Sequence, residues 1–430
     1  MNARWSRSIG ACAVALVSSC STQPAPPLPS APSDAQAGDS GAGAAPADGG
    51  DAAPSGPFPA FKPDIGLMAS GGGSIVPTPN LVTVTWAIDP LGAALEDFDE
   101  KLGPSKYWSA VKEYGVVATT ASPQHVVVPT APPPTWEDTD LENWLVTELQ
   151  DPASGWPAPD ANTVYVVYTP PSVQVTTGGA DICSSNSAEH ARLPVGAIPD
   201  VSFVLTFGSC MWSTTLEDSY TAAAAITIAG AVTDPDYATW NGYDNPHYAW
   251  QLFTNGAGEI GLACAAYTND YFRPGPDLPY AVGRLWSNAS ATAGHDPCVP
   301  AEPGPYYSAT PLGMKSIDVT VGSSAIAAAE VITKGYRIAP GKSGSFQVGL
   351  YSDGPTSPWS VQAVEGDGMN PPASSVLELS TDRSSGNNGD RITVTVSVKR
   401  APPGQTGVLM TIVSTQNQVQ HFTPVLIGTY

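Results

Sequence analysis

Ala222–Trp240 reads AAAAITIAGAVTDPDYATW, and the fold of everything before residue 312 turns on this stretch. Four alanines followed by Ile226, Ile228 and Val232 make a helix whose small and aliphatic side chains suit burial. Thr214 and Glu217 stand three apart and predict a capping box at its start. Asp234 and Pro235 end it, because proline has no amide hydrogen and its ring clashes with the preceding turn. A buried helix needs a sheet to pack on, and the neighbouring sequence supplies the strands. LVTVTWAI (81–88), HVVVPT (125–130), TVYVVYTP (163–170) and VSFVLTFGSC (201–210) are β-branched runs bounded by turn residues. SKYWSAVKEYG (105–115) puts Tyr107, Trp108, Val111 and Tyr114 on one helical face before a capping Gly115. TDLENWLVTELQ (139–150) opens with Thr139 and Glu142 as a second capping box and aligns Leu141, Trp144, Leu145 and Leu149 in one stripe. Strands alternating with helices predict an α/β domain with a mixed sheet over residues 61–312.

Beyond residue 312 the texture changes. SIDVTV (316–321), SFQVGLYS (345–352), WSVQAVE (359–365), SVLELST (375–381), RITVTVSV (391–398), GVLMTIVST (407–415) and HFTPVLIG (421–428) are short alternating segments separated by turn residues. No helical period interrupts them. This pattern predicts an all-β, immunoglobulin-like sandwich over residues 313–430, a spacer or binding module.

The first residues read as an export signal. Arg4 and Arg7 precede an apolar run at 11–17 that is too short to span a bilayer. The run ends in VSSC, an aliphatic residue and two small ones before Cys20, which resembles the bacterial lipobox whose cysteine is acylated. Residues 1–19 are then a lipoprotein signal peptide, and Ser21 after the cysteine points to the outer membrane or cell surface. A plain secretory signal cut near Ser19 is the alternative. Residues 20–60 are Pro, Ala, Gly, Ser and Asp with almost no side chains to bury, a disordered tether. The formal charge of −22, from 17 basic and 39 acidic residues, excludes a nucleic-acid footprint and disfavours anionic lipid surfaces. The expected membrane link is therefore the N-terminal lipid, with an envelope polysaccharide or protein as further partner. Cys183, Cys210, Cys264 and Cys298 predict two disulfides in an oxidising compartment. Three pairings are open. Cys183–Cys210 with Cys264–Cys298 is favoured because each closes a local loop. Zinc held by cysteine is the rival, but no C-x-x-C spacing is present.

Several pieces between Thr163 and Cys298 stand in a telling order: VYVVYTPP, CSSNSAEH, FVLTFGSC, AVTDP, a tryptophan, EIGLAC, and AVGRLWSNASATAGHDPC. Together they resemble a family of secreted proteins, the plant Exordium or phosphate-induced proteins and bacterial relatives carrying a zinc-peptidase-like motif. In those relatives an HELAE-like run directly precedes AVTDP. Its His and second Glu lie one turn apart on one helix face and can reach one metal ion. The Glu after the His is placed as a general base for a metal-bound water. Counted back from Pro235, the His position is Ile226, the base position Thr227 and the second carboxylate position Gly230. The resemblance therefore implies a peptidase-like scaffold that has lost its ligands and its base. No catalytic residue and no resident cofactor is expected, unless zinc is held by a site rebuilt elsewhere.

The residues for such a rebuilt site are His190, which matches the family's Tyr-His position, His247 in DNPHYAW, and Glu259, which keeps the family Glu while Leu262 replaces its Asp. Read by itself, His190 is an exposed loop histidine beside Glu189, and Glu259 is a structural hydrogen-bonding group. Trp240, Tyr243, Tyr248 and Trp250 form an aromatic loop that could serve as a carbohydrate or peptide platform. No G-x-S-x-G elbow is present, and the glycine-rich SGGGS at 70–74 lacks a phosphate-loop lysine. The expected function is thus a cell-envelope lipoprotein with a catalytically degenerate metallopeptidase-like domain in a binding or structural role. The alternatives are an active secreted hydrolase with a rebuilt site and a carbohydrate-binding surface protein.

Overall fold

The computed structural model describes residues 56–430 apart from 118–123, 257, 266–270, 369–371 and 373. The expected signal peptide, Cys20 and most of the expected tether lie outside the described residues. The centre of the first half is a five-stranded sheet in the order Gln124–Val128, Asn80–Trp86, Thr163–Thr169, Ile198–Phe207, Ala188–Val195. The first four strands are parallel and the last is antiparallel. The central strands are buried on both faces, which explains why they read as near-continuous apolar runs. Val82, Val84, Trp86, Tyr165 and Val167 face the helix Asp138–Gln150 through its Leu141 and Leu145. Leu81, Val164, Val166, Tyr168 and Val204 face the other way, onto the helices Gly92–Leu102 and Leu216–Thr233.

The helix Leu216–Thr233 is buried almost all round, as its lack of a polar stripe dictates. Its start is one residue later than expected: Thr215, not Thr214, is the cap, and its side chain accepts from the amide of Asp218. The second capping box does not form either. The helix begins at Asp138, so Thr139 is already helical, and Glu137 at the cap position makes no side-chain cap bond. The segment expected as a helix at 105–115 is a 3-10 helix, Tyr107–Tyr114, with its aromatic face buried and Gly115 closing it at φ 95°. Both disulfides form in the favoured pairing, Cys183–Cys210 and Cys264–Cys298. The second bridge stands beside a buried Arg284, whose Nε donates to the carbonyl oxygens of Cys298 (3.1 Å) and Pro300 (2.9 Å) and whose guanidinium pairs with Asp296.

The second half holds a four-stranded sheet in the order Tyr307–Pro311, Ser343–Ser352, Arg391–Val398, Leu377–Thr381 and a six-stranded sheet. The larger sheet runs Lys315–Val321, Ala329–Arg337, Val419–Gly428, Gly407–Gln416, Trp359–Glu365, Ser385–Gly386. Pairing is antiparallel except between Ala329–Arg337 and Val419–Gly428. One core joins the sheets: Val348, Leu350, Ile392 and Val394 from the smaller meet Trp359, Met410, Ile412 and Val425 from the larger. The strand Tyr307–Pro311 stands upstream of the boundary read from sequence. The strand Ala329–Arg337 had no clear signature, because Lys334 and Gly335 break its alternation.

The halves are packed on one another. Ala249 and Leu252 from the helix Tyr248–Phe253 share a core with Ile317, Val319, Val321 and Leu426. Phe253 lies 5.4 Å from Phe422, ring to ring, and Phe61 of the incoming chain lies 6.1 Å from Tyr351.

Candidate functional site

The helix face to which the resemblance assigns two metal ligands can be followed residue by residue. Ile226 and Gly230 are one turn apart and look onto the segment that contains Glu259 and Gly261. Ile226 sits in a cradle of glycines. A Cβ on Gly261 would stand 2.7 Å from the Ile226 Cβ, and one on Gly283 would stand 2.2 Å from its Cγ2. Gly230 leaves room for two polar side chains. A Cβ there would stand 2.3 Å from Glu259 Oε2 and 2.9 Å from His190 Nε2. Those two groups are paired at 3.2 Å, with His190 4% and Glu259 8% exposed.

His190 is therefore not an exposed loop residue. It lies on the strand Ala188–Val195, opposite Val204. The alternation of that strand sends His190 to the helix face and Glu189 to the other side of the sheet. Burial, with the charges of Asp138 and Glu142 adding to it, pushes the Glu189 carboxyl up to about 7. The strand was missed because it carries Glu, His, Arg and Pro, and only its pairing with Ile198–Phe207 makes it a strand.

The surroundings of the His190–Glu259 pair include Tyr237, which sequence reasoning passed over, and Asp234, the residue that ends the helix. Tyr237 stacks on the imidazole at 4.6 Å between ring centres, 17° from parallel, and its hydroxyl donates to the backbone oxygen of His190. Asp234, fully buried at the end of the helix, accepts from the amides of Ala238 (2.7 Å) and Thr239 (2.6 Å) through one oxygen. Burial, with the Glu259 charge adding to it, pushes the Asp234 carboxyl up to about 6. The TDPD turn was the available signal, since an aspartate there caps the following amides. The glycine-rich 70–74 segment runs against this turn. Gly71 donates to Thr239 O at 2.6 Å, and a Cβ on Gly71 would stand 2.2 Å from Ala238 O. Close approach accounts for Gly71 and Gly73, and a φ of +80° accounts for Gly72.

The three residues named for a rebuilt site do not converge. His190 and Glu259 meet, but His247 bonds Asp244 (2.5 Å) and Asp64 (2.9 Å) beside Lys334, at the seam with the β half. Among the described residues, no group of three or more His, Cys, Asp or Glu side chains is placed to hold a metal ion. The aromatic loop does not form an open platform. Tyr243 and Trp250 are buried at 6% and 3% exposure and pack on Trp286. Trp240 is half-buried, with its indole N–H donating to Tyr114 O at 3.1 Å. Tyr248 packs against the cluster around Ile317 and Leu426.

The chemistry of this arrangement is limited by what the helix face presents. Ile226, Thr227 and Gly230 offer it neither an imidazole nor a carboxylate. His190 spends Nε2 on Glu259. No family model and no curated protein matches this chain.

Proposed function

We propose that this chain is a cell-envelope lipoprotein, held by a lipid on Cys20 and the tether behind it, with a metallopeptidase-like domain that binds or braces rather than hydrolyses. The single observation that carries the proposal is the packing of the Leu216–Thr233 helix. The positions that the resemblance assigns to the metal ligands, Ile226 and Gly230, lie in close contact with Gly261, Gly283 and the His190–Glu259 pair. A closed helix face of this kind supports a scaffold kept for its shape. The immunoglobulin-like reading of the β half adds a second surface for an envelope polysaccharide or protein. The two disulfides fit an oxidising compartment. Among the described residues no helix is long and apolar enough to cross a membrane, so in this reading the lipid does the anchoring.

The meeting of His190 and Glu259 gives the hydrolase alternative its one foothold, and the test addresses it. The protein is dialysed against trace zinc and its metal content measured. The expected result is no retained zinc. Near-stoichiometric zinc that disappears in His190→Ala would overturn the proposal and establish a rebuilt site.

A further inference from the structure

Four charged or titratable side chains from separate parts of the chain meet at the seam between the halves. Asp64 comes from the chain entering the fold, Asp244 precedes and His247 ends the single turn Asn245–His247, and Lys334 comes from the strand Ala329–Arg337. His247 Nδ1 lies 2.5 Å from Asp244 Oδ1, and Nε2 lies 2.9 Å from Asp64 Oδ1. Lys334 Nζ donates to both oxygens of Asp64, at 2.8 and 2.7 Å, and lies 3.4 Å from His247 Nε2. Both ring nitrogens therefore face carboxylates. Only the imidazolium has a hydrogen for each of them; the neutral ring leaves one carboxylate against a lone pair.

We propose that Asp64, Asp244, His247 and Lys334 form a proton-operated latch, which holds the entering chain and the strand Ala329–Arg337 to the α/β half when His247 is charged and loosens when it is neutral. The neighbouring contacts show what the latch holds. Asp64 N donates to Thr310 Oγ1 at 3.2 Å, Asp244 N to Leu67 O at 2.9 Å, and Thr333 Oγ1 to Pro246 O at 3.2 Å. The last two join the segments the latch joins, and the first ties Asp64 to the neighbouring strand Tyr307–Pro311, so loss of the charged bonds weakens a shared seam. The apolar contacts of Leu252 and Phe253 hold the halves together in either state. The latch therefore governs the fit of residues 61–68 and 329–337, not the assembly of the molecule. A narrow crevice reaches the imidazole, and its remaining walls, among them Trp250, Pro311 and Met314, carry no charge. Asp64, Asp244 and Lys334 are thus the groups that set the response.

The direction follows from linkage. Burial alone would lower the His247 pKa, but the hydrogen bonds to Asp244 and Asp64 outweigh it and the net shift is upward from 6.5. A raised folded value means that this stabilisation is full below 6.5 and is lost as pH rises through the shifted value. Asp64 is held down to about 2 from 3.8, first by its bond to His247, against the cost of burial and with help from Lys334. Its share is present above 3.8 and lost as pH falls through about 2. The latch is closed between those limits.

The test is amide hydrogen exchange of the intact protein, corrected for the intrinsic rate, from about pH 5.5 to about pH 8.5. Peptides covering 61–68 and 329–337 are expected to lose protection roughly tenfold across the range, the size of one charge-assisted bond. A reference peptide in Thr163–Thr169 should not change. His247→Gln should flatten the step, and Lys334→Met should lower protection at every pH while keeping it. A step that persists in folded His247→Gln, or a wild type without one, overturns the proposal. If His247→Gln does not fold, the imidazole of the wild type is titrated by NMR, and a midpoint at or below 6.5 overturns it instead. This latch is independent of the pseudo-peptidase reading, and zinc binding would leave it untouched.

Discussion

The covered helix face makes a quantitative demand on Gly283 and Ile226. Gly283→Ala would place a Cβ 2.2 Å from Ile226 Cγ2 and 3.4 Å from the backbone oxygen of Ala222. Inserting a carbon into so close a contact costs about 1–3 kcal/mol, because side chains or backbone must move. Ile226→Ala removes the Cγ2 that Gly283→Ala would strike. Ile226 is partly buried, so its truncation should cost about 1–3 kcal/mol rather than the upper end of the range for a full core site. The two changes compensate in space, since the new carbon enters the volume the old one leaves. The double variant should therefore be more stable than the sum of the singles predicts, by about 1 kcal/mol or more. Urea unfolding checks this, read by tryptophan fluorescence and by circular dichroism with coincident transitions and an unchanged slope. Additive singles, or a double variant worse than their sum, would refute the packing of Ile226 against Gly283. The proposed scaffold role of this helix face would fall with it.

Two other consequences concern stability away from that face. Asp99 is fully buried, accepts from Thr83 Oγ1 at 2.6 Å and Tyr168 Oη at 2.9 Å, and is pushed up by burial to about 7 from 3.8. The folded protein then binds more protons than the unfolded chain between 3.8 and about 7, so stability falls as pH rises through that window. Asp99→Asn should remove this part of the slope, so that the variant gains on the wild type between about pH 4 and about pH 8 in thermal unfolding; an unchanged difference would contradict the buried-acid assignment. The disulfides span 27 and 34 residues. Loop entropy gives each about 3–4 kcal/mol. Paired Cys→Ser substitutions should each lower the urea midpoint accordingly, and a loss well under about 1 kcal/mol would mean that the loops are held by other contacts.

Local sequence foretells the main elements but not the meeting of His190 and Glu259. The helix was legible because alanines and aliphatics over five turns admit few other readings, and a Thr-Asp-Pro stop fixes its end. The central strands were legible because burial on both faces demands continuous β-branched runs. The disulfides followed from short loops. By contrast, His190 was read as exposed, since its strand is polar and owes its existence to a neighbour outside its own sequence. The aromatic loop was read as a platform, since nothing local says that Tyr243 and Trp250 turn inward onto Trp286.

By itself the sequence determined that the first half is α/β and the second β-rich, and that Leu216–Thr233 is a helix of small and aliphatic residues with Ile226, Thr227 and Gly230 on it. These follow from local propensity, hydropathy period and residue identity, which need no distant contact. Only the tertiary structure decided that His190 and Glu259 meet over Gly230, that His247 belongs to a different cluster with Asp64 and Lys334, and that glycines at 261 and 283 seat Ile226. These depend on which distant segments touch. A small residue has no signature of its own until the atom that would collide with its missing side chain is in place.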